Sequence, residues 1–377
     1  MIIKRIKILI AIPNLYGGTG VFCKNLAKGL KKFFKNKYHI ILFLLNEKGV
    51  LNKDKKFFDE IYIINSDVHQ DIRRFWEIFY HFYFFKKYIK KIKPDIIFSI
   101  GTYANTLSFF SGINKNKIIF SEHDTPSIRI KYSKYKKLIK FFMKVMYKKT
   151  KIISISKGVM LDLIKNLGAK KTKLIYHGVD EEEIYRLSQE KIIESINFPY
   201  IIFVGRLTIP KDPVTLINGY YEAVKKGIKE NLIIVGEGEK EEEIKDIIKN
   251  LNLNERVFLL GYKPNPYPYI KKAKVFILPS IWEGLGYVLL ESLSLGVPII
   301  STNFPSALEI LENGKFGILV PIKDYKKLGE AIYELLKDEN KLQELKEKSI
   351  IRSKFFLFEK MIKSYDELFM PIYEKKL

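Results

Sequence analysis

The feature that most constrains this chain is a series of thirteen short apolar runs rich in Ile and Val, separated by helix-length polar or amphipathic stretches. The first seven lie at 6–12, 39–45, 61–64, 95–100, 117–120, 151–155 and 173–176. The other six lie at 200–204, 231–235, 257–260, 275–278, 297–300 and 317–320. Runs of this length without polar alternation are expected of parallel strands buried on both faces. Their alternation with helical stretches predicts βαβ units wound into doubly wound α/β sheets. The charged stretch 180–199 separates the two series, and 377 residues suit two such domains.

Composition removes several classes of protein. A hydrophobic content of 47% supplies two cores, so disorder is not the main state. A single cysteine, Cys23, excludes a disulfide scaffold and a thiolate-rich metal cluster, and reads as small packing. Segment 1–13 pairs basic and apolar residues as a leader would. It continues into Asn14-Leu-Tyr-Gly-Gly-Thr-Gly20 without a small-residue cleavage site, so a first buried strand is the expectation. No run approaches about 18 apolar residues, so no membrane-spanning helix is expected. A cytoplasmic protein, peripheral at the inner face of the cell membrane, is the resulting expectation.

The formal charge of +24 is uneven. Residues 1–190 hold 38 Lys and Arg against 16 Asp and Glu, and residues 191–377 hold 28 against 26. Such asymmetry directs one half toward a polyanion: nucleic acid, an anionic membrane or a phosphorylated substrate. Only eight of the basic residues are Arg, which disfavours base reading by bidentate guanidinium groups. Genome composition or a hot habitat would also enrich Lys. Two segments of the basic half stand out. Segment 71–90 holds nine aromatics in twenty residues, and 128–149 is a basic amphipathic pattern. Both fit a membrane interface, and both fit ordinary sheet-covering helices with a solvated Lys face.

In doubly wound folds, ligands bind where strands run into helix N-termini. Gly17-Gly18-Thr19-Gly20 follows the first run, at a spacing that is not the dinucleotide fingerprint. Gly205-Arg206-Leu207-Thr208-Ile209-Pro210-Lys211 follows the run at 200–204, with two cations placed to clamp a diphosphate. Gly236-Glu237-Gly238 follows the run at 231–235. Pro279-Ser280-Ile281-Trp282-Glu283-Gly284-Leu285-Gly286 follows the run at 275–278 and leads into a helix carrying Glu291. With Glu283 in the loop and Glu291 a turn or two into the helix, both carboxylates can meet one ligand and accept from sugar or ribose hydroxyls.

These blocks, in this order, resemble the retaining GT-B glycosyltransferases of family 4. Glu283-x7-Glu291 is similar to that family's E-x7-E signature, Gly205-Arg206-Leu207-x3-Lys211 to its G-R-L-x3-K, and Gly236-Glu237-Gly238 to its G-x-G. Gly17-Gly18, Glu122-His123-Asp124, Ser154-Ile155-Ser156-Lys157 and His177-Gly178-Val179-Asp180 add to the resemblance. His177 stands where the family has Asn. One block departs: Pro305-Ser306-Ala307-Leu308-Glu309 is one glycine short of the family's pattern, which leaves the donor sugar unnamed.

The resemblance implies two Rossmann-like domains facing a central cleft: an acceptor-side domain over 1–185, a donor domain over 196–352, and a helix at 353–377 that crosses back to the first domain. It implies transfer of a hexosyl or N-acetylhexosaminyl residue, with retention, from a nucleotide diphosphate sugar such as a UDP-sugar to an acceptor hydroxyl. Arg206 and Lys211 would bind the diphosphate, and Glu291 the ribose. Glu283 would hold sugar hydroxyls, and Gly236 and the backbone of Gly284, Leu285 and Gly286 would contact sugar or phosphate. His123 would reach the donor sugar, and Gly18 would lie near the phosphates. Closure of the domains would exclude water. No Asp-x-Asp occurs, so neither a metal nor another cofactor is expected beside the nucleotide sugar co-substrate. The charge, the aromatic segment and Gly261-Tyr262-x2-Asn265-Pro266-Tyr267 resemble enzymes that extend polyprenyl-diphosphate-linked or other cell-surface glycans, with the acceptor held at an anionic membrane. Read singly, Glu291 is also a helix-surface acid, Lys211 one of many solvated lysines, Asp124 a helix cap and His123 a structural histidine. Competing activities are nucleotide-sugar epimerisation on the same fold and, more remotely, nucleic-acid binding through the basic half.

Overall fold

The computed structural model describes residues 5–50, 52–64, 75–131 and 133–374, without the side chains of 53, 75, 76 and 129. All thirteen apolar runs are strands. β1 (Ile6–Ile12), β2 (Tyr38–Leu44), β3 (Glu60–Ile63), β4 (Ile96–Ile100), β5 (Ile118–Glu122), β6 (Lys151–Ser154) and β7 (Thr172–Leu174) form a parallel sheet in the order β3-β2-β1-β4-β5-β6-β7. β8 (Tyr200–Val204), β9 (Asn231–Val235), β10 (Val257–Leu259), β11 (Val275–Leu278), β12 (Ile299–Thr302) and β13 (Ile318–Val320) form a second parallel sheet in the order β10-β9-β8-β11-β12-β13. Both sheets reverse direction beside their first strand, at β1/β4 and at β8/β11. Such switch points open a crevice at the carboxyl ends of the strands.

The central strands are apolar on both sides because helices cover both faces. Ile8, Leu9, Ile10, Ile96, Ile97 and Phe98 are fully buried in the first sheet, as are Ile201, Ile202, Phe203, Phe276 and Ile277 in the second. Burying each such side chain contributes about 1.5–3 kcal/mol. Side-chain caps fix where several helices begin. Ser156 Oγ accepts from the Val159 amide at 3.1 Å, and Asp212 accepts from the Thr215 amide at 3.2 Å.

The chain divides into two compact units, 5–177 with 359–374 and 178–358 among the described residues. The division falls earlier than the expected end of the first domain at 185. Asp180 caps the helix Glu181–Leu187, which buries Ile184 and accepts, at the Leu187 carbonyl, a hydrogen bond from Asn265 of the second unit. This short helix therefore belongs with the second sheet. The second unit also runs past 352, because Val179 pairs with Leu357 as an isolated bridge. With the boundary at 178, and each unit counted over the whole sequence, the charge separates further: +26 in the first unit and −2 in the second.

The final helix, Phe358–Glu374, belongs almost wholly to the first unit. Its buried Met361, Ile362, Tyr365, Leu368 and Phe369 form one apolar stripe. Tyr365 and Phe369 pack edge-on against Phe98, while Asp366 accepts from both Lys37 and Tyr38. Of the aromatic segment 71–90, residues 71–74 lie outside the described residues. The rest is the helix Phe75–Ile92, with Phe85 and Ile89 buried and Phe79, Tyr80 and Tyr83 exposed. Segment 128–149 is two helices, Pro126–Lys131 and Lys136–Lys149, rather than one, and residue 132 lies outside the description.

Candidate active site

In the second unit the loops leaving β8 and β11 meet at the switch point, and they carry the residues singled out from the sequence. The β8 loop bears exposed Arg206 and half-buried Lys211, which closes a 3-10 turn at Ile209–Lys211. The β11 loop bears Glu283, and the helix Tyr287–Ser294 begins after Gly286 and places Glu291 just over one turn inside. The two loops are tied together by backbone and side chains alike. The Ile281 amide donates to the Pro210 carbonyl at 2.8 Å, and Lys211 Nζ is ion-paired with Glu283 Oε1. Buried Ser280 donates to the same carboxylate oxygen at 2.8 Å. The cation of one loop and the carboxylate of the other thus touch.

Glu291 is half-buried, and its Oε1 accepts from Tyr267 Oη at 2.9 Å. Loss of solvation raises its pKa to about 7, against the lowering effects of the Tyr267 bond and the Lys211 charge. Lys211 is therefore bonded to one of the two signature carboxylates and electrostatically coupled to the other. Tyr267 begins the helix Tyr267–Lys272, and the sequence pattern alone does not mark it as a site residue.

Gly236 is demanded by close approach. Its φ is +140°, and a Cβ there would lie 1.9 Å from the Gly205 carbonyl oxygen. The Leu207 amide donates to Glu237 at 2.9 Å, and the Gly236 amide donates to the Gly261 carbonyl at 2.8 Å. The exits of β8, β9 and β10 are thereby joined by backbone hydrogen bonds. Gly284, Leu285 and Gly286 are buried at the start of the Glu291 helix.

In the first unit, Gly18 lies in the first turn of the helix Gly17–Phe33, at the exit of β1. His123 follows β5 immediately. Its Nε2 shares a hydrogen bond with Ser121 Oγ at 2.8 Å, and its ring lies edge-on to Phe22 at 4.7 Å and against His177 at 4.8 Å. Burial pushes the His123 pKa down to about 3, so that ring is neutral at working pH, and burial together with the neighbouring His123 pushes the His177 pKa well below its ordinary value. His177 stacks on Phe22 at 4.3 Å, which gives a packing reason for an aromatic ring where the family pattern has Asn. Glu122, ahead of His123, is buried and accepts from Asn105 Nδ2 at 2.6 Å and from Tyr147 Oη. Cys23 is fully buried, its thiol pushed up by desolvation, consistent with packing rather than chemistry. Among the described residues, no three His, Cys, Asp or Glu side chains come together as a metal-holding group. No helix of the described residues is long and apolar enough to cross a membrane.

Two family descriptions match the chain in tandem: Glycosyltransferase Family 4 over residues 16–183 and Glycosyl transferases group 1 over residues 186–352. An N-acetylgalactosamine-N,N'-diacetylbacillosaminyl-diphospho-undecaprenol 4-alpha-N-acetylgalactosaminyltransferase of Campylobacter jejuni subsp. jejuni serotype O:2 is 31% identical over 279 residues, which is 72% of this chain and 75% of that protein. The chain belongs to the family 4 glycosyltransferases. Solved glycosyltransferase structures share its fold. Sucrose-phosphate synthase from Thermosynechococcus elongatus aligns with a TM-score of 0.82 at 17% identity, covering 98% of this chain and 100% of that one. HepE from Anabaena, in complex with UDP and glucose, aligns with a TM-score of 0.79 at 17% identity, covering 97% and 100%. The fold is thus GT-B, two Rossmann-like units, and this family 4 member is a glycosyltransferase.

Proposed function

We propose that this glycosyltransferase moves a hexosyl or N-acetylhexosaminyl residue, with retention, from a UDP-sugar to a hydroxyl of a lipid-linked or cell-surface glycan at the inner face of an anionic membrane. The observation that carries the reading is the convergence of Lys211, Glu283 and Glu291 at the β8/β11 switch point of the second unit. In this reading the ribose hydroxyls donate to Glu291 and the sugar hydroxyls to Glu283. Arg206, Lys211 and the amides at the start of the Glu291 helix take the diphosphate. The bond from the sugar's anomeric carbon to the diphosphate oxygen breaks, and one to the acceptor oxygen forms on the same face. The acceptor proton passes to the leaving phosphate. Charge stabilisation of the departing UDP is the catalytic contribution of Arg206 and Lys211, with no metal called on. Gly18 and His123 carry the first unit's part, and neutral His123 can donate to or accept from a sugar hydroxyl.

A uridine diphosphate donor is favoured by the HepE complex with UDP and glucose. A lipid-linked acceptor is favoured by the Campylobacter relative, whose name places diphospho-undecaprenol in its acceptor. The membrane face is favoured by the helix Lys136–Lys149. It buries Met143, Met146 and Tyr147 but exposes Leu138, Phe141 and Phe142, with Lys137, Lys140, Lys144 and Lys148 forming the next stripe at 100° per residue. The test is a panel of radiolabelled UDP-sugars offered with polyprenyl-diphosphate glycans and, separately, without acceptor. Acceptor-dependent label transfer with an α-linked product from an α-linked donor supports the reading. Donor isomerised without acceptor, or product of inverted configuration, overturns it.

A further inference from the structure

We infer that Tyr267 is a positioning residue for donor binding: its phenol fixes the Glu291 carboxylate by one oxygen and leaves the other turned to the nucleotide ribose. The inference rests on the reading of Glu291 as the ribose-binding group. Its geometric basis is the 2.9 Å bond from Tyr267 Oη to Glu291 Oε1. A carboxylate held by a single neutral donor keeps acceptor capacity for two adjacent hydroxyls, and its rotation is restrained before the ligand arrives.

Tyr267 is itself anchored. Its amide donates to Asn265 Oδ1 at 3.2 Å, and Asn265 Nδ2 donates to the Leu187 carbonyl at 2.9 Å and to Glu190 Oε2 at 2.7 Å. Pro266 and Pro268 flank it and remove backbone freedom. The ring therefore stands on a fixed turn rather than on a mobile loop.

The ionisable groups around Glu291 come from four elements. Tyr267 comes from its own helix, Lys211 from the turn Ile209–Lys211, Tyr287 from the helix that carries Glu291, and Glu183 from the helix Glu181–Leu187; the last two act on Tyr267. Lys211 is at the same time paired with Glu283. Desolvation and these carboxylates raise the Tyr267 phenol well above its ordinary value, so it remains a donor across the working range. Its bond is one of two influences holding the Glu291 pKa down, the other being Lys211. Removal of the hydroxyl should both release the carboxylate and make it harder to ionise.

The experiment is calorimetric titration of UDP into wild type, Tyr267→Phe and Glu291→Gln between pH 6 and pH 8.5, with thermal melts to confirm folding. Tyr267→Phe keeps the ring and should bind UDP about tenfold more weakly at pH 7. The deficit should shrink toward pH 8.5 as Glu291 ionises, and comparison at each pH cancels the titration of UDP itself. In turnover, KM for the donor should rise with kcat little changed. Tyr267→Phe binding UDP as wild type does at every pH, while Glu291→Gln binds weakly, overturns the role of Tyr267 alone. Glu291→Gln binding UDP normally overturns the underlying reading of the site. A uniform, pH-independent loss in Tyr267→Phe marks a merely structural role and also overturns the inference.

Discussion

Lys211 and Glu283, 72 residues apart in sequence, are ion-paired at the switch point of the second sheet. Both side chains are largely shielded, at 18% and 15% exposure, so the pair is less screened than a surface pair. The proposed diphosphate cation and the proposed sugar carboxylate thus satisfy one another. Donor binding would exchange that contact for two: ammonium to phosphate and carboxylate to sugar hydroxyl. Ser280, which donates to Glu283 Oε1, would hold that carboxylate in place through the exchange.

Replacing Lys211 with Ala should therefore lower kcat about 10²–10³-fold, the scale seen when one group stabilising transition-state charge is removed. Arg206→Ala should lower it similarly. Arg206 is exposed, so its loss should leave the melting temperature unchanged. Steady-state kinetics with saturating donor decide this, and near-normal kcat in both variants would sink the diphosphate assignment.

Glu291 gives a prediction about stability as well as binding. Its pKa is raised from the ordinary 4.5 to about 7 in the folded chain. Between these values the folded state holds the proton that the unfolded state has released. Stability on this account therefore falls as pH rises through that window and stays lowered above it. Glu291→Gln, which carries no charge, should melt higher than wild type at pH 8 and closely match it at pH 4, while losing donor affinity at pH 8. Melting curves across pH check the sign: a variant less stable than wild type at pH 8 would mean the ionised carboxylate is stabilising.

The exposed Leu138, Phe141 and Phe142 stripe beside four lysines predicts how the first unit meets lipid. Phe141→Asp with Phe142→Asp should abolish co-sedimentation with vesicles containing phosphatidylglycerol, without lowering the melting temperature, because both rings are solvent-facing. Each lysine near the surface contributes about 1 kcal/mol, so binding to the wild type should weaken steeply with salt and fail on purely zwitterionic vesicles. Equal binding to both vesicle types would remove the electrostatic argument.

Much of this protein was legible from the order of its residues, for a physical reason. Parallel strands covered on both faces must be apolar throughout, so each of the thirteen runs is visible without a partner, and strand edges such as 200–204 and 231–235 coincide with β8 and β9. Glu283 and Glu291 stand out because loop and helix place them at a fixed spacing. Tyr267 stayed hidden as a site residue because its partner is 24 residues away and its own segment reads as a Pro-bounded turn. The boundary near 178 stayed hidden because Glu181–Leu187 is strongly charged. Its membership is decided by Ile184 and by Asn265 across the fold rather than by composition. The two-helix break in 128–149 likewise lay beneath a continuous amphipathic pattern.

Gly18 and Gly20, two residues apart, differ in the room their surroundings leave for a side chain. A Cβ at Gly20 would lie 1.9 Å from the Leu15 carbonyl oxygen, whereas one at Gly18 would meet nothing within 4 Å. Gly20→Ala must displace the backbone of the β1 loop and should lower the melting temperature of the first unit together with activity. Gly18→Ala fits the folded chain as it stands and, in a helical first turn, should leave the melting temperature unchanged or slightly raised. If Gly18 is small so that phosphate or acceptor can approach the backbone, Gly18→Ala should still cost at least tenfold in kcat/KM, about 1.4 kcal/mol of transition-state binding. Melting curves and kcat/KM measured on both variants decide between the roles. Full activity in a stably folded Gly18→Ala protein would reduce Gly18 to a turn residue and leave His123 as the first unit's contribution to the reaction.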